Sequence, residues 1–170
     1  PIRAYNRHYS LVCTGFFVER KERRSLMHAH PCKLTLSAIL HYNFVGNQAL
    51  FSRKHFLKIG GFDEQLPASE DYDLWTRLIS TFGPGRRTFP ASYIKRAIPG
   101  TGQLTNSVVF LEGARLYTVK HRQKMSASQL RSQNLIHAIT AKTPLSLKLT
   151  RSILSWATLP IFLRYIASML

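Results

Sequence analysis

Hydrophobic residues gather in short runs through the first half of the chain and spread to helical spacing in the second. Leu11-Val12-Cys13-Thr14-Gly15-Phe16-Phe17-Val18 is an apolar, β-branched and aromatic run, which predicts a strand buried on both faces. The charged stretch Glu19-Arg20-Lys21-Glu22-Arg23-Arg24 is expected to end it in solvent. Ser37 to Tyr42 predicts a helical turn, and Phe44 to Phe51 a second strand interrupted by Gly46, since glycine inside a strand often marks a close backbone approach. Ser52 is placed to cap a short helix whose Phe56, Leu57 and Ile59 face inward, with Gly60-Gly61 stopping it. Ser69 is placed to cap the next helix, and Leu74, Trp75, Leu78, Ile79 and Phe82 then recur at amphipathic spacing, predicting a helix over about 70–82. Gly83-Pro84-Gly85 breaks that helix, and Thr88 to Arg96 predicts another strand. Beyond residue 104 the pattern is helical: Ser107 to about Lys124, then Ser126-Ala127-Ser128-Gln129, a capping-box sequence that opens a helix reaching about Lys142.

The last segment, Leu145 to Leu170, is apolar but interrupted by Lys148, Arg151, Pro160 and Arg164. Its longest uncharged stretch, Ser152 to Leu163, is twelve residues, against the roughly 20 that a bilayer crossing requires. It is expected to lie on a surface, either a membrane interface that its cations would meet or the rest of the protein.

Charge sharpens this picture. With 24 Lys and Arg against 8 Asp and Glu, the 170-residue chain carries a formal +16, which favours an anionic partner without choosing among nucleic acid, phospholipid and a phosphate-bearing substrate. Basic pairs such as Arg20-Lys21, Arg23-Arg24 and Arg86-Arg87 come with no nucleic-acid-binding signature, so a solvated or lipid-facing surface is the better reading and no nucleic acid is expected for an enzyme; the alternative to an enzyme is a non-catalytic basic module that binds anionic membrane or nucleic acid. Two cysteines, Cys13 and Cys32, exclude a disulfide scaffold, and a reducing, cytosolic setting fits them. His28-Ala29-His30-Pro31-Cys32 offers three potential ligands, but no second pair follows at zinc-site spacing and Pro31 disrupts the geometry, so no metal site is read there.

The acids are concentrated. Five of the eight, Asp63, Glu64, Glu70, Asp71 and Asp73, lie between residues 63 and 73. Carboxylates in the first turn of a helix favour its dipole and need no function. Here, however, a glycine turn and a glycine-bearing strand flank the helix start, and a carboxylate fixed beside a cleft is what general-base chemistry on a hydroxyl requires. Asp71-Tyr72-Asp73 is not read as a metal pair, because one-residue spacing on a helix sends its two carboxylates to different sides.

Taken in order, Gly46-Asn47, the short helix, Gly60-Gly61-Phe62-Asp63-Glu64 and Ser69-Glu70-Asp71-Tyr72-Asp73-Leu74-Trp75-Thr76-Arg77 resemble the second half of the inverting GT-A glycosyltransferases of family 2. The likeness is to the bacterial enzymes that build exopolysaccharide and O-antigen units. Gly100 to Ser107 with Lys120-His121 is similar to the region that follows the motif in colanic-acid-type transferases. The resemblance spans roughly residues 10–125 and implies an α/β fold: the C-terminal half of a GT-A, Rossmann-like domain over residues 1–103, then a helical tail over 104–170.

It also implies roles. Asp71 matches the aspartate that takes the proton from the acceptor hydroxyl as it attacks the anomeric carbon, Glu70 helps to position the acceptor, and Gly46 with Asn47 matches the glycine loop near the donor sugar. Trp75 is read as core. A nucleotide-sugar donor, a lipid-linked or polysaccharide acceptor and contact with the anionic inner face of the cell membrane follow from the same likeness. A divalent cation, Mg or Mn, is implied for the complete enzyme, with its Asp-x-Asp ligands in a nucleotide-binding half expected N-terminal to Leu11 and outside this chain. The chain is thus expected to be a fragment, in which the strand at 11–18 lacks neighbours from the other half of a parallel sheet.

Overall fold

The computed structural model describes residues 9–20, 23–27, 32–96 and 108–141, a mixed α/β arrangement of five strands and five α-helices among those residues. They form two compact units. The first draws its described residues from Pro1–Ile39, Asn43–Asp63 and Asp71–Thr101, and the second from Leu40–Tyr42, Glu64–Glu70 and Gly102–Leu170.

In the first unit the run at 11–18 becomes the central strand β1 (Leu11–Arg20), with Leu11 through Phe16 buried as an all-apolar strand requires. One edge pairs in parallel with β5 (Gly85–Arg96). The other is shared end to end by two antiparallel partners, β4 (Leu50–Phe51) against Leu11–Val12 and β2 (Arg23–Met27) against Phe16–Arg20. Strand β3 (Cys32–Leu34) closes the far side, antiparallel to β5. The sheet is therefore mixed, and the expectation that strand 11–18 lacks neighbours is corrected: both its edges are paired within this chain.

Strand β1 ends within the charged stretch, at Arg20, with Glu19 at the exposed end of the sheet. Its carboxylate accepts from Arg24 Nε at 2.6 Å and Arg96 Nε at 3.1 Å, cross-strand ion pairs that let the charged end of the strand stay in the sheet. Strand β5 starts three residues earlier than predicted, at Gly85, which lies so close to β1 that a Cβ there would stand 2.9 Å from a Leu11 methyl. Between Thr14↔Thr88 and Phe16↔Tyr93 the register shifts, and the Ser92 hydroxyl shares a hydrogen bond with Thr14 Oγ1 across the irregularity. That irregularity brings Tyr93 onto Phe16, rings stacked at 5.1 Å.

The predicted strand at 44–51 forms only as its last two residues. Asn43 Oδ1 accepts from the backbone N–H of both Val45 and Gly46, each at 3.2 Å, and Gly46 turns at φ 80°. A side chain that takes up its own neighbours' N–H groups removes them from a sheet ladder, so the segment becomes a loop. The helical turn expected at 37–42 is α1 (Leu36–Ile39). Helix α2 (Arg53–Lys58) has Ser52 at its N-cap position with no side-chain capping bond, and Leu57 is 57% exposed rather than inward. Gly60 and Gly61, at φ 82° and 73°, stop it as predicted.

Helix α3 (Glu70–Phe82) matches its predicted span. Ser69 enters it at φ 65°, the left-handed region instead of the extended conformation of a capping residue. Burial goes beyond one stripe: Tyr72, Asp73 and Thr76 are inside along with Leu74, Trp75, Leu78 and Ile79. Phe82 is half-buried and stacks on His55 at 3.8 Å.

The second unit is helical. Helix α4 (Val108–His121), a 3-10 turn at Arg122–Lys124 and α5 (Ala127–Thr140) follow the predicted pattern. The capping box is complete, Ser126 Oγ accepting from Gln129 N while Gln129 Oε1 accepts from Ser126 N. Gly113 sits against Ala68, where a Cβ would stand 2.3 Å from the carbonyl oxygen. Buried Gln133 donates to the carbonyls of Leu40 at 2.8 Å and His41 at 3.1 Å, and His41 Nδ1 shares a hydrogen bond with Ser132 Oγ. Burial holds both His41 and His137 below the usual imidazole range. Among the described residues no helix is long and apolar enough to cross a membrane; the predicted segment at 145–170 lies outside them, as do Gly100 to Ser107 and His28 to Pro31.

Candidate functional site

The carboxylates of Asp71 and Asp73 diverge, as one-residue spacing on a helix dictates. Asp73 is fully buried and its Oδ2 accepts from Arg77 Nε at 2.6 Å, one turn along α3. The same guanidinium donates to the carbonyls of Ile59 at 2.9 Å and Gly61 at 2.7 Å. Arg77 thereby ties the left-handed glycine turn to the helix and neutralises the buried Asp73 carboxylate.

Asp71 has a different setting. It is half-buried; its Oδ1 accepts from Tyr72 N at 2.6 Å, and its Oδ2 faces Asn43 Nδ2 at 3.5 Å. Through Asn43 the carboxylate meets the loop that carries Gly46. Four hydrogen bonds hold that loop: Val45 N and Gly46 N donating to Asn43 Oδ1, Trp75 Nε1 donating to Gly46 O at 2.8 Å, and Arg87 Nη2 donating to Phe44 O at 2.7 Å. Arg87 is itself buried, its guanidinium 5.6 Å from the Phe44 ring centroid. Trp75, 3% exposed, is core as read, and its indole N–H additionally fixes a loop carbonyl one turn beyond Asp71.

Gly46 and Asp71 are thus linked through the Asn43 side chain, which bonds to Gly46 N and faces Asp71 Oδ2. Asn47 follows Gly46 on the exposed side of the loop, and Glu70 is exposed at the first residue of α3. The space that a Cβ at position 46 would take is held by Tyr93 Oη at 2.9 Å and the Phe16 ring at 3.4 Å, so glycine there serves both the positive φ and the packing beneath the loop.

Burial pushes the Tyr93 phenol up to about 12, with the charges of Cys13 and Asp71 adding to the effect. Its hydroxyl is therefore a proton carrier at neutral pH, and it is buried with no hydrogen-bond partner among the described residues. Burial also raises the Cys13 thiol to about 11, against the opposing pull of Arg87. Cys13 and Cys32 are both free thiols, the first buried and the second exposed.

Sequence reasoning missed Asn43, Tyr93 and Arg87. Asn43 left a signal, an Asn three residues before a Gly, which is turn chemistry. Tyr93 and Arg87 left none, since an aromatic and a cation in a strand are ordinary. No group of three His, Cys, Asp or Glu side chains among the described residues could hold a metal ion. With Asp73 engaged by Arg77 and Asp71 by Tyr72 N, the carboxylates at the site do not fit a divalent cation.

No curated protein and no solved structure matches the chain. A family model does: residues 18–84, less than half of the chain, match the family described as glycosyltransferase like family 2. The match takes in the Asn43 to Gly46 loop, the Gly60-Gly61 turn and all of α3, and stops before Tyr93 and Arg87. Residues 18–84 are thus similar to glycosyltransferase-like family 2 domains.

Proposed function

We propose that this chain is the acceptor-side part of an inverting GT-A glycosyltransferase that moves a sugar from a nucleotide-sugar donor to an acceptor hydroxyl, with Asp71 as general base. The observation that carries the reading is the placing of Asp71: half-buried in the first turn of α3, both oxygens held by donors, beside a loop fixed to the same helix. In the proposed step the Asp71 carboxylate takes the proton of the acceptor hydroxyl. The freed oxygen lone pair attacks the anomeric carbon, the bond to the diphosphate breaks, and its electron pair leaves on the nucleoside diphosphate. One displacement inverts the anomeric centre and needs no protein nucleophile. Glu70 and Asn47, both exposed and flanking Asp71 and Gly46 in sequence, are assigned to substrate binding.

The domain assignment goes with this reading: transferase domain over 1–103, helical tail over 104–170. So does the setting, a lipid-linked or polysaccharide acceptor in bacterial surface-polysaccharide synthesis, at the inner face of the cell membrane where a chain of net +16 meets anionic headgroups.

The test is sugar transfer by the protein expressed together with its nucleotide-binding half. Labelled nucleotide sugars are supplied to membranes that carry the acceptor. Asp71→Asn is expected to lower the rate by about 100-fold or more; a rate near that of the parent removes Asp71 from the role.

A further inference from the structure

We propose that Asn43 is a positioning residue of this site, its carboxamide joining the loop that carries Gly46 to the Asp71 carboxylate so that one side chain sets both. The proposal rests on the reading of Asp71 as the base and adds to it a residue that neither the motif nor its spacing points to.

The orientation of the amide is determined by its partners. One end faces two backbone N–H groups, those of Val45 and Gly46 at 3.2 Å, so that end is the oxygen. The NH2 end is then turned to Asp71 Oδ2, at 3.5 Å. That distance is at the long limit of a hydrogen bond, in keeping with sites whose contacts tighten when substrate arrives. The loop does not rely on Asn43 alone, because Arg87 holds Phe44 O and Trp75 holds Gly46 O. With the loop anchored at these two carbonyls, the amide has a stationary base from which to orient Oδ2, while Tyr72 N orients Oδ1.

Other ionisable groups bear on the same carboxylate. The Tyr93 phenol senses the Asp71 charge, Cys13 lies within electrostatic reach of Tyr93, and Glu70 is the preceding residue on α3. Asp73 is turned away onto Arg77. An N–H donor from Asn43 favours the ionised form of Asp71, as any hydrogen bond to a carboxylate does.

The experiment is a pH titration of the 170-residue chain followed by NMR, reading the Asp71 carboxyl carbon and the Asn43 side-chain NH2 together. In the parent protein the Asn43 NH2 signals are expected to move with the Asp71 midpoint; signals that stay flat through that midpoint overturn the proposal. In Asn43→Ser a hydroxyl still accepts from the turn N–H groups but no longer reaches Asp71, so the Asp71 midpoint is expected to rise by about half a unit. Asn43→Asp keeps the turn acceptor and sets a carboxylate against Asp71, and the rise should be larger. Val45 and Gly46 amide shifts that stay in place show that the turn survives. An unmoved Asp71 midpoint in a variant with that turn intact makes Asn43 a turn residue only. The titration is independent of sugar transfer, so active Asp71→Asn would remove the base reading without touching this result, and flat signals would remove Asn43 without touching the base.

Discussion

The two sides of α3 make an instructive pair. On one side Asp73, Arg77 and the carbonyls of Ile59 and Gly61 form a closed set, charge buried and matched at 2.6 to 2.9 Å. On the other, two residues away in sequence, Asp71 is half-buried, Asn43 reaches it at 3.5 Å, and the buried Tyr93 hydroxyl finds no partner among the described residues. A closed polar cluster is what stability requires, because an unpaired buried charge costs several kcal/mol. The Asp71 carboxylate, by contrast, is half-buried and takes its hydrogen bonds from Tyr72 N and Asn43 Nδ2 at the edge of the loop. The adjacent carboxylates therefore divide the labour: one builds the platform, the other is presented on it.

Breaking the closed side should have the largest effect. Arg77→Ala strands Asp73 in the interior and is expected to cost about 3–5 kcal/mol in urea unfolding. Asp71→Asn should cost under about 1 kcal/mol, as at a half-exposed position; equal losses would erase the contrast. Trp75→Ala is expected to cost about 3–5 kcal/mol through its cavity, whereas Trp75→Phe removes chiefly the bond to Gly46 O and should cost about 1–2 kcal/mol beside it.

Gly46→Ala comes next, at about 1–3 kcal/mol, because φ 80° strains an L-residue and the new methyl meets Tyr93 Oη. The same change in a Tyr93→Phe background should cost less. Strict additivity of the two would show that the loop does not rest on the phenol. In the helical unit, Ser126→Ala removes the capping box and is expected to cost about 1 kcal/mol by thermal unfolding.

The smallest effect is alkaline. Cys13 and Tyr93 are raised in the folded state to about 11 and about 12, from 9.0 and 10.0. The stability they contribute is present below their unfolded values and lost as pH climbs through the folded ones. Melting temperature should fall from about pH 9 upward, less steeply in Tyr93→Phe. A disulfide reagent at pH 8 should modify exposed Cys32 at once and Cys13 only on unfolding.

Local signals in the chain were read correctly where one period or one residue decides the outcome. The 3.6-residue spacing of Leu74, Trp75, Leu78 and Ile79 specified α3 to the residue, the Ser126 to Gln129 box specified the start of α5, and the all-apolar run specified β1. Asp71 stood out because acids are scarce in so basic a chain, and a helix start places a carboxylate in a known direction.

What failed to show was set by partners far away in sequence. Segment 44–51 has strand-like residues, yet Asn43, Arg87 and Trp75 bind its backbone and make it a loop; Trp75 and Arg87 lie 29 and 43 residues from the groups they bind. Glu19 belongs to a strand because Arg24 and Arg96 face it across the sheet. The composition of the chain determines which residues seek burial and which carboxylates are available. Only the tertiary structure decides which carboxylate is neutralised by Arg77 and which is left at a loop's edge, because that choice depends on hydrogen-bond distances between residues that the linear order keeps apart.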